Sequence, residues 1–448
     1  MTSFRKLLPP VALVSALALI PVTATSFAAT DTTNYAELEK FMTVYQQVKE
    51  HYVVPVDDHT LIKGAIDGML AALDPHSSYA EGADYDALKT LIDGQYGGLG
   101  LSVGMEDGTL KVIAPTEDTP AWRAGIKPGD YITNINGELM YGYTLDETVE
   151  KMRGKPGTPI TLTIVRKGRD KPFDVTLTRE IIKVQPVKWE VKNGVGYINI
   201  NQFAAGTGRA TEAALTGIDK ATGGHPLGYV VDLRSNPGGS LDEAIEVSDA
   251  FLNSGEIVSQ RGREKDDIER YYAKPGDMAH GLPVVVLTDV GSASASEIVA
   301  GALQDHRRAV VLGERSFGKG SVQSIQMLSD HSALRLTTAR YYTPSGRSVQ
   351  EGGIDPDIRV PQLSDPDYKD RPVTREADLR RHLLNQAKVT DKLLENDDGT
   401  DPRFTATPAE LKKKGIDDFQ LYYALNTVRR AAGQGPIPAT TAIAKKGS

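Results

Sequence analysis

Two stretches of this 448-residue chain repeat one plan, and that plan restricts the fold more than any other feature. In the first, Leu227-Gly228-Tyr229-Val230-Val231-Asp232-Leu233 is an almost unbroken apolar run, Asn236-Pro237-Gly238-Gly239 a turn, and Leu241 to Leu252 a helical pattern. In the second, Pro283 to Thr288 is the apolar run, Gly291 to Ser294 the turn and Glu297 to Gln304 the helix. Ala309 to Glu314 then adds a third apolar run. Strands without polar alternation are buried on both faces, and strand–helix–strand order calls for a largely parallel α/β layer. Such layers build their sites at the carboxyl ends of the strands, where both turns fall.

The second turn is dense in serine: Asp289-Val290-Gly291-Ser292-Ala293-Ser294-Ala295-Ser296-Glu297. A helix needs one serine as its cap, so this turn holds a surplus. Ser294 is placed at the helix entrance, where free N–H groups and the positive dipole end favour developing negative charge. The N–H of Ala295 is a natural donor to an oxyanion, and Gly238 or Gly239 in the parallel turn is a second; by itself, Asn236–Gly239 reads equally as a plain tight turn. Lys319, in the glycine-flanked loop Ser316-Phe317-Gly318-Lys319-Gly320, can serve as the base in place of histidine. It acts only when neutral, which requires its pKa to fall from about 10.4 to about 7–8 by burial away from carboxylates. Glu297 is a support for the site or a plain helix cap. None of the eight histidines lies in a convincing nucleophile pattern, and no His/Asp/Glu cluster has metal spacing, so neither a cofactor nor a metal is expected.

Around this core the pattern changes. Residues 34 to 52 and Ile62 to Leu73 show helical spacing, and such a pair must pack on the rest of the chain or on a second copy. From Gln95 to Glu180 short strands alternate with glycines, with Leu110–Ile113, Asp130–Ile135 and Ile160–Val165 as strands and Leu145–Met152 as a helix. Beyond Pro361, Glu376 to Ala387 reads as a helix. Asn396 to Pro402 is a polar linker, Thr407-Pro408-Ala409-Glu410 a capping box, and Ile416, Phe419, Tyr422, Leu425 and Val428 an apolar stripe. At the other end Arg5 and Lys6, the apolar run Val11 to Val22 and the small residues Ser26 and Ala28 read as a secretory signal cut after Ala28, with an uncleaved anchor as the alternative. A net charge of −8 disfavours nucleic acid as a partner, and the absence of cysteine excludes disulfides and thiol catalysis.

Gly291-Ser292-Ala293-Ser294-Ala295-Ser296-Glu297-Ile298-Val299-Ala300, followed by Phe317-Gly318-Lys319-Gly320-Ser321-Val322-Gln323, resembles the carboxy-terminal processing peptidases, or tail-specific proteases. Leu73-Asp74-Pro75-His76-Ser77-Ser78-Tyr79, Asp232 to Gly239 and Tyr341-Tyr342-Thr343-Pro344-Ser345-Gly346 occur in the same order, so the resemblance covers roughly residues 35 to 362. It implies a crotonase-like protease core with an inserted, β-rich PDZ domain and helical terminal segments. The divisions are signal peptide 1–28, helical segment 29–94, PDZ domain 95–182, core with cap 183–362 and helical extension 363–448. It places the nucleophile on Ser294, the base on Lys319 and the lysine-orienting residue on Gln323; being neutral, Gln323 can hold the amine without favouring its cation.

Pro120 to Asn136 resembles a PDZ domain, and Gly98-Leu99-Gly100-Leu101 falls where that fold binds a terminal carboxylate. Arg153 is the counterpart of a family arginine that couples docking to activation. The partners implied are proteins or peptides with apolar C-termini, an adaptor protein, and further copies of this chain joined through the terminal helices. The reading is a periplasmic serine endopeptidase. A catalytically silent PDZ scaffold, a crotonase-like acyl-CoA enzyme and a Ser-His-Asp triad are its rivals.

Overall fold

The computed structural model describes residues 32–437 apart from 107, 117, 184, 329–330, 369, 372 and 386–402. The signal segment and the polar linker from Asn396 lie outside the described residues. The chain divides into two compact units at Ile66. The helix Thr32–His51 belongs to the first unit, and the helix Asp58–Ala71 runs across the division. Among the described residues no helix is long and apolar enough to cross a membrane.

The larger unit is organised around a six-stranded sheet. Its order is Val187–Lys192, Val195–Ile200, Tyr229–Asp232, Val284–Thr288, Val310–Gly313 and Ile358–Arg359. The first pair is antiparallel and every later junction parallel. Tyr229–Asp232 and Val284–Thr288 are buried at every position, as strands covered on both faces must be.

The helices Thr207–Ala221, Leu241–Asp249 and Ala295–Asp305 cover one face, packing Leu215, Ile218, Val247 and Val299 against Ile198, Val231 and Val286. The C-terminal helix Phe419–Ala431 covers the other, setting Ala424, Leu425 and Val428 on Val230, Val285 and Leu312. The apolar stripe of the extension is therefore spent within the chain. The capping box at Thr407 forms, with Glu410 N–H to Thr407 Oγ1 at 3.3 Å. Glu376 to Ala387 does not form the expected helix. Glu376–Asp378 is one 3₁₀ turn, and Arg381 at φ +62° stops any continuation; residues 386–387 are not described.

A second sheet stands beside the core, in the order Ser78–Glu81, Ser332–Tyr342, Glu256–Arg261 and Ile268–Tyr272; Ser321–Met327 pairs with Ser332–Tyr342. That last pair is a hairpin, antiparallel from Ser321↔Arg340 to Met327↔Ala333. The strand Ser78–Glu81 brings the Asp74–Tyr79 block against the same hairpin.

The glycine-rich region closes on itself as a six-stranded antiparallel sheet around Leu110, Ile132, Ile160 and Leu162, with the helix Leu145–Met152 packed on it. The chain enters and leaves this domain through adjacent antiparallel strands, Gln95–Gly98 and Glu180–Lys183. That is the geometry of an insertion.

Candidate active site

The serine-rich turn sorts its three hydroxyls by use. Ser292 Oγ donates to the Leu233 carbonyl at 2.8 Å and accepts the Asp289 N–H at 2.9 Å. Ser296 Oγ donates to the Asn236 carbonyl at 2.9 Å. Both therefore bind this turn to the first one. Ser294 is different: it sits at φ 55°, ψ −113°, a backbone conformation rarely tolerated outside glycine. Glu297 Oε2 accepts the Ser294 N–H at 2.7 Å, and the serine hydroxyl at the helix entrance donates to no acceptor among the described residues.

The two strand-end turns lie against each other. Asp289 Oδ1 accepts the N–H of Ser235 at 2.8 Å and of Gly291 at 2.9 Å, and Ala293 N–H donates to the Asn236 carbonyl at 3.0 Å. Gly238, at φ +98°, touches the nucleophile turn so closely that a Cβ there would stand 2.8 Å from Ser294 Cβ and 2.9 Å from Ala295 N. Its own N–H is given to Asn236 Oδ1 at 2.9 Å, whereas the N–H of Gly239 goes to no acceptor among the described residues.

Lys319 is tied to Ser294 through two buried side chains. Glu297 Oε2 also accepts the Lys319 N–H at 2.9 Å, and Oε1 accepts Gly318 N–H at 2.7 Å and Ser316 Oγ at 2.5 Å. Burial pushes this carboxyl up to about 7, opposed by those same hydrogen bonds. The Tyr341 hydroxyl shares its one proton between the carbonyl of Ser294, at 3.1 Å, and that of Lys319. Burial holds the Tyr341 phenol well above its usual range, so it stays a donor. Glu297 thus takes N–H groups, and Tyr341 carbonyls, from the same two residues.

Burial, helped by the Arg335 guanidinium, lowers the Lys319 amine to about 8, against the pull of Glu376, Glu297 and Asp74. Gln323 lies on the strand that follows, beyond a register shift after Val322. Its amide donates to Ser321 Oγ at 2.9 Å and Thr337 Oγ1 at 3.1 Å, and its carbonyl accepts from Arg335 at 3.4 Å. Of the eight histidines, His306 meets the Glu256 carbonyl, His76 Glu376 and His382 Glu351.

Asn236, Asp289 and Tyr341 were not singled out as site residues by the sequence. Their signal was position alone: Asn236 and Tyr341 stand inside blocks that carry the family resemblance, and Asp289 opens the serine-dense turn.

In the inserted domain Gly98, Leu99, Gly100 and Leu101 line one groove with Val149, Met152 and Arg153. No acceptor among the described residues takes the N–H of Leu99 or Gly100. Arg153 closes the helix Leu145–Met152; its guanidinium lies over the Tyr96 ring at 5.2 Å and meets Glu150 at 3.3 Å, while its buried Nε has no partner among the described residues. Gln202 of the core also lines the groove, one residue before Phe203, whose N–H binds the Gly238 carbonyl at 2.9 Å.

Residues 194–360 match peptidase family S41, residues 111–166 a PDZ domain, and residues 21–83 the activating protease CtpB N-terminal domain. A carboxy-terminal-processing protease of Bartonella bacilliformis is 47% identical over 406 residues, with 90% of this chain and 91% of that protein covered. The carboxy-terminal processing protease CtpB of Bacillus subtilis is 36% identical over 358 residues, covering 78% of this chain and 72% of that one. Among solved structures, a photosystem II D1 C-terminal processing protease is 26% identical, covering 79% of this chain and 94% of that chain with a TM-score of 0.44. With a relative this similar along nine-tenths of its length, and a PDZ domain inserted beside an S41 core, the chain belongs to the carboxy-terminal processing proteases, which are serine endopeptidases.

Proposed function

We propose that this protease cleaves peptide bonds with a Ser294–Lys319 dyad. The observation that carries the reading is the shared clamp: Glu297 and Tyr341 each bind the main chain of both residues, while the serine hydroxyl donates to no acceptor among the described residues and burial weakens the lysine's hold on its proton.

In the proposed step Ser294 Oγ bonds to the scissile carbonyl carbon as its proton passes to Lys319 Nζ. The carbonyl oxygen, now an oxyanion, takes the N–H groups of Ala295 and Gly239; Gly238 shapes the loop, its own N–H being spent on Asn236. The lysine then gives its proton to the departing amine, and a water molecule releases the acyl group by the same path. Gln323 orients the amine in this reading with its carbonyl oxygen, its NH2 being held by Ser321 and Thr337.

The groove at Gly98–Leu101 is proposed to hold the terminal carboxylate of an apolar tail, with Arg153 and Gln202 carrying its occupancy toward the oxyanion loop. Export to the periplasm with loss of residues 1–28 rests on the basic and apolar pattern of that segment. Assembly through the N-terminal helix is supported by its exposed Leu38, Phe41 and Val44; an adaptor protein belongs to the same proposal as a family expectation.

The dyad is tested by incubating an unfolded, dye-labelled casein with the wild type, Ser294→Ala and Lys319→Ala. Both variants are expected to lose cleavage by at least about a thousandfold while keeping the wild-type unfolding temperature. Substantial turnover by Lys319→Ala would restore a histidine as the base. Fractionation with N-terminal sequencing checks the location: mature protein should begin near Ala29, and a chain that retains Arg5 contradicts cleavage.

A further inference from the structure

The block Leu73 to Tyr79 has no part in the proposed step, yet the fold delivers it to the wall behind Lys319. Asp74 begins the arrangement. Its carboxylate accepts the N–H groups of His76 at 2.8 Å and Ser77 at 2.9 Å, Ser77 Oγ at 2.8 Å and Thr337 Oγ1 at 3.1 Å. This fixed turn aims the His76 ring at Glu376, a residue of the C-terminal extension that is 0% exposed. His76 Nε2 stands 2.8 Å from Glu376 Oε2 and 3.0 Å from Oε1, so an ionised Glu376 takes that nitrogen as its donor.

The contacts continue to the lysine loop. Gln350, also 0% exposed, donates from Nε2 to Glu376 Oε1 at 3.0 Å and accepts the Gly320 N–H on its Oε1 at 3.0 Å. Gly320 directly follows Lys319, and a Cβ there would come within 2.6 Å of Gln350 N. On the other side of the lysine, Glu376 N–H donates to the Phe317 carbonyl at 3.2 Å. Glu376 therefore braces the lysine loop on both sides of Lys319, by its main chain before the lysine and by its carboxylate, through Gln350, after it; its charge also acts on the amine.

We propose that Glu376, held by His76 and Gln350, is a positioning residue for Lys319, fixing the Phe317 and Gly320 peptides on either side of it. The proposal rests on Lys319 being the base. Three segments distant in sequence meet in it, one before the inserted domain, one from the core and one from the extension.

The ionisable groups around Glu376 are His76, Lys319, Tyr341 and His382. Those around Lys319 are Arg335, Glu376, Glu297 and Asp74. Glu376 favours the lysine cation, and neutral lysine is the working form. Removing the negative charge while keeping the shape therefore shifts activity toward lower pH. Glu376→Gln does this, since a glutamine oxygen can still accept from Gln350.

The experiment compares kcat and KM for labelled-casein cleavage by the full-length wild type, Glu376→Gln, Glu376→Ala, His76→Gln and Lys319→Ala between pH 6 and 10. Glu376→Gln is expected to carry the acidic limb of kcat/KM about 0.5–1 pH unit lower, so that cleavage near pH 6.5 rises about three- to tenfold relative to the limb's plateau. Glu376→Ala, which cuts the tether, should lose about ten- to a hundredfold in kcat with KM changed less than about twofold. His76→Gln keeps a donor to the carboxylate and should retain most of kcat. An unmoved acidic limb in Glu376→Gln, with Lys319→Ala inactive, overturns the role of Glu376 and leaves the dyad standing. Activity in Lys319→Ala instead overturns the dyad itself. If Glu376→Ala does not fold, the limb of Glu376→Gln still decides.

Discussion

At the scale of single residues, Ser294 and Lys319 are held by what binds their main chains rather than by contact between their side chains. Glu297 takes an N–H from each and Tyr341 gives its hydroxyl to a carbonyl of each. A phenol buried at 2% exposure has no other reason to keep its oxygen. Tyr341→Phe preserves the ring and strands two carbonyls, so unfolding should become easier by about 1–3 kcal/mol. Since the same bonds set the spacing of the two residues, kcat should fall about tenfold or more with KM little altered, read by denaturant unfolding beside steady-state kinetics. A stability loss with unchanged kcat would make Tyr341 a packing residue only. The strand-to-helix turn at Ser294 and the glycine-flanked loop at Lys319 were legible in the sequence because each is a local pattern. The direction of the Gly238 peptide, which spends its N–H on Asn236, was not, because it follows from a side chain's choice among nearby donors. Nor was Glu376, whose partners His76 and Gln350 are brought to it only by the completed fold.

At the scale of elements, the sheet follows from strands apolar on both faces, and the two turns meet because parallel neighbours end at the same edge. Gly238 measures how closely they meet. Gly238→Ala needs a side chain at φ +98° and a Cβ inside contact distance of Ser294 and Ala295, an adjustment of about 1–3 kcal/mol that must displace the nucleophile turn. We expect activity to vanish while circular dichroism stays native; a variant of wild-type activity would show that the turns have room between them. The helix Thr207–Ala221 escaped the sequence reading for a physical reason. In Thr-Gly-Arg-Ala-Thr-Glu-Ala-Ala-Leu-Thr-Gly three threonines and two glycines interrupt the helix-forming residues, and packing of Ala214, Leu215 and Ile218 on the core overrides them. Glu376 to Ala387 shows the converse: good helix formers are diverted because buried Glu376 is bound at His76 and Gln350.

At the scale of the whole molecule, the chain surrounds one site with distant segments. Arg234, beside the first turn, pairs with Asp232 at 2.6 Å and with Asp418 at 2.8 Å, so the cap of the C-terminal helix anchors the base of the proposed oxyanion loop. The inserted domain reaches the same loop through Gln202 and Phe203. If docking there favours the working state, a substrate with a free apolar C-terminus should be cleaved several-fold faster than its amidated form below saturation, and Arg153→Ala should narrow the difference. Equal rates for free and amidated tails would separate the groove from catalysis. The dyad remains the centre of the account, and a fluorophosphonate reagent tests it most directly because it reports the nucleophile without substrate docking. The rate of labelling, followed by mass spectrometry of the modified peptide across pH, should place the label on Ser294. It should rise with an apparent pKa of about 8, the value to which burial lowers Lys319, and nearly vanish in Lys319→Ala. A label on another residue, or a limb near 6.5 that disappears when one histidine is replaced, contradicts it.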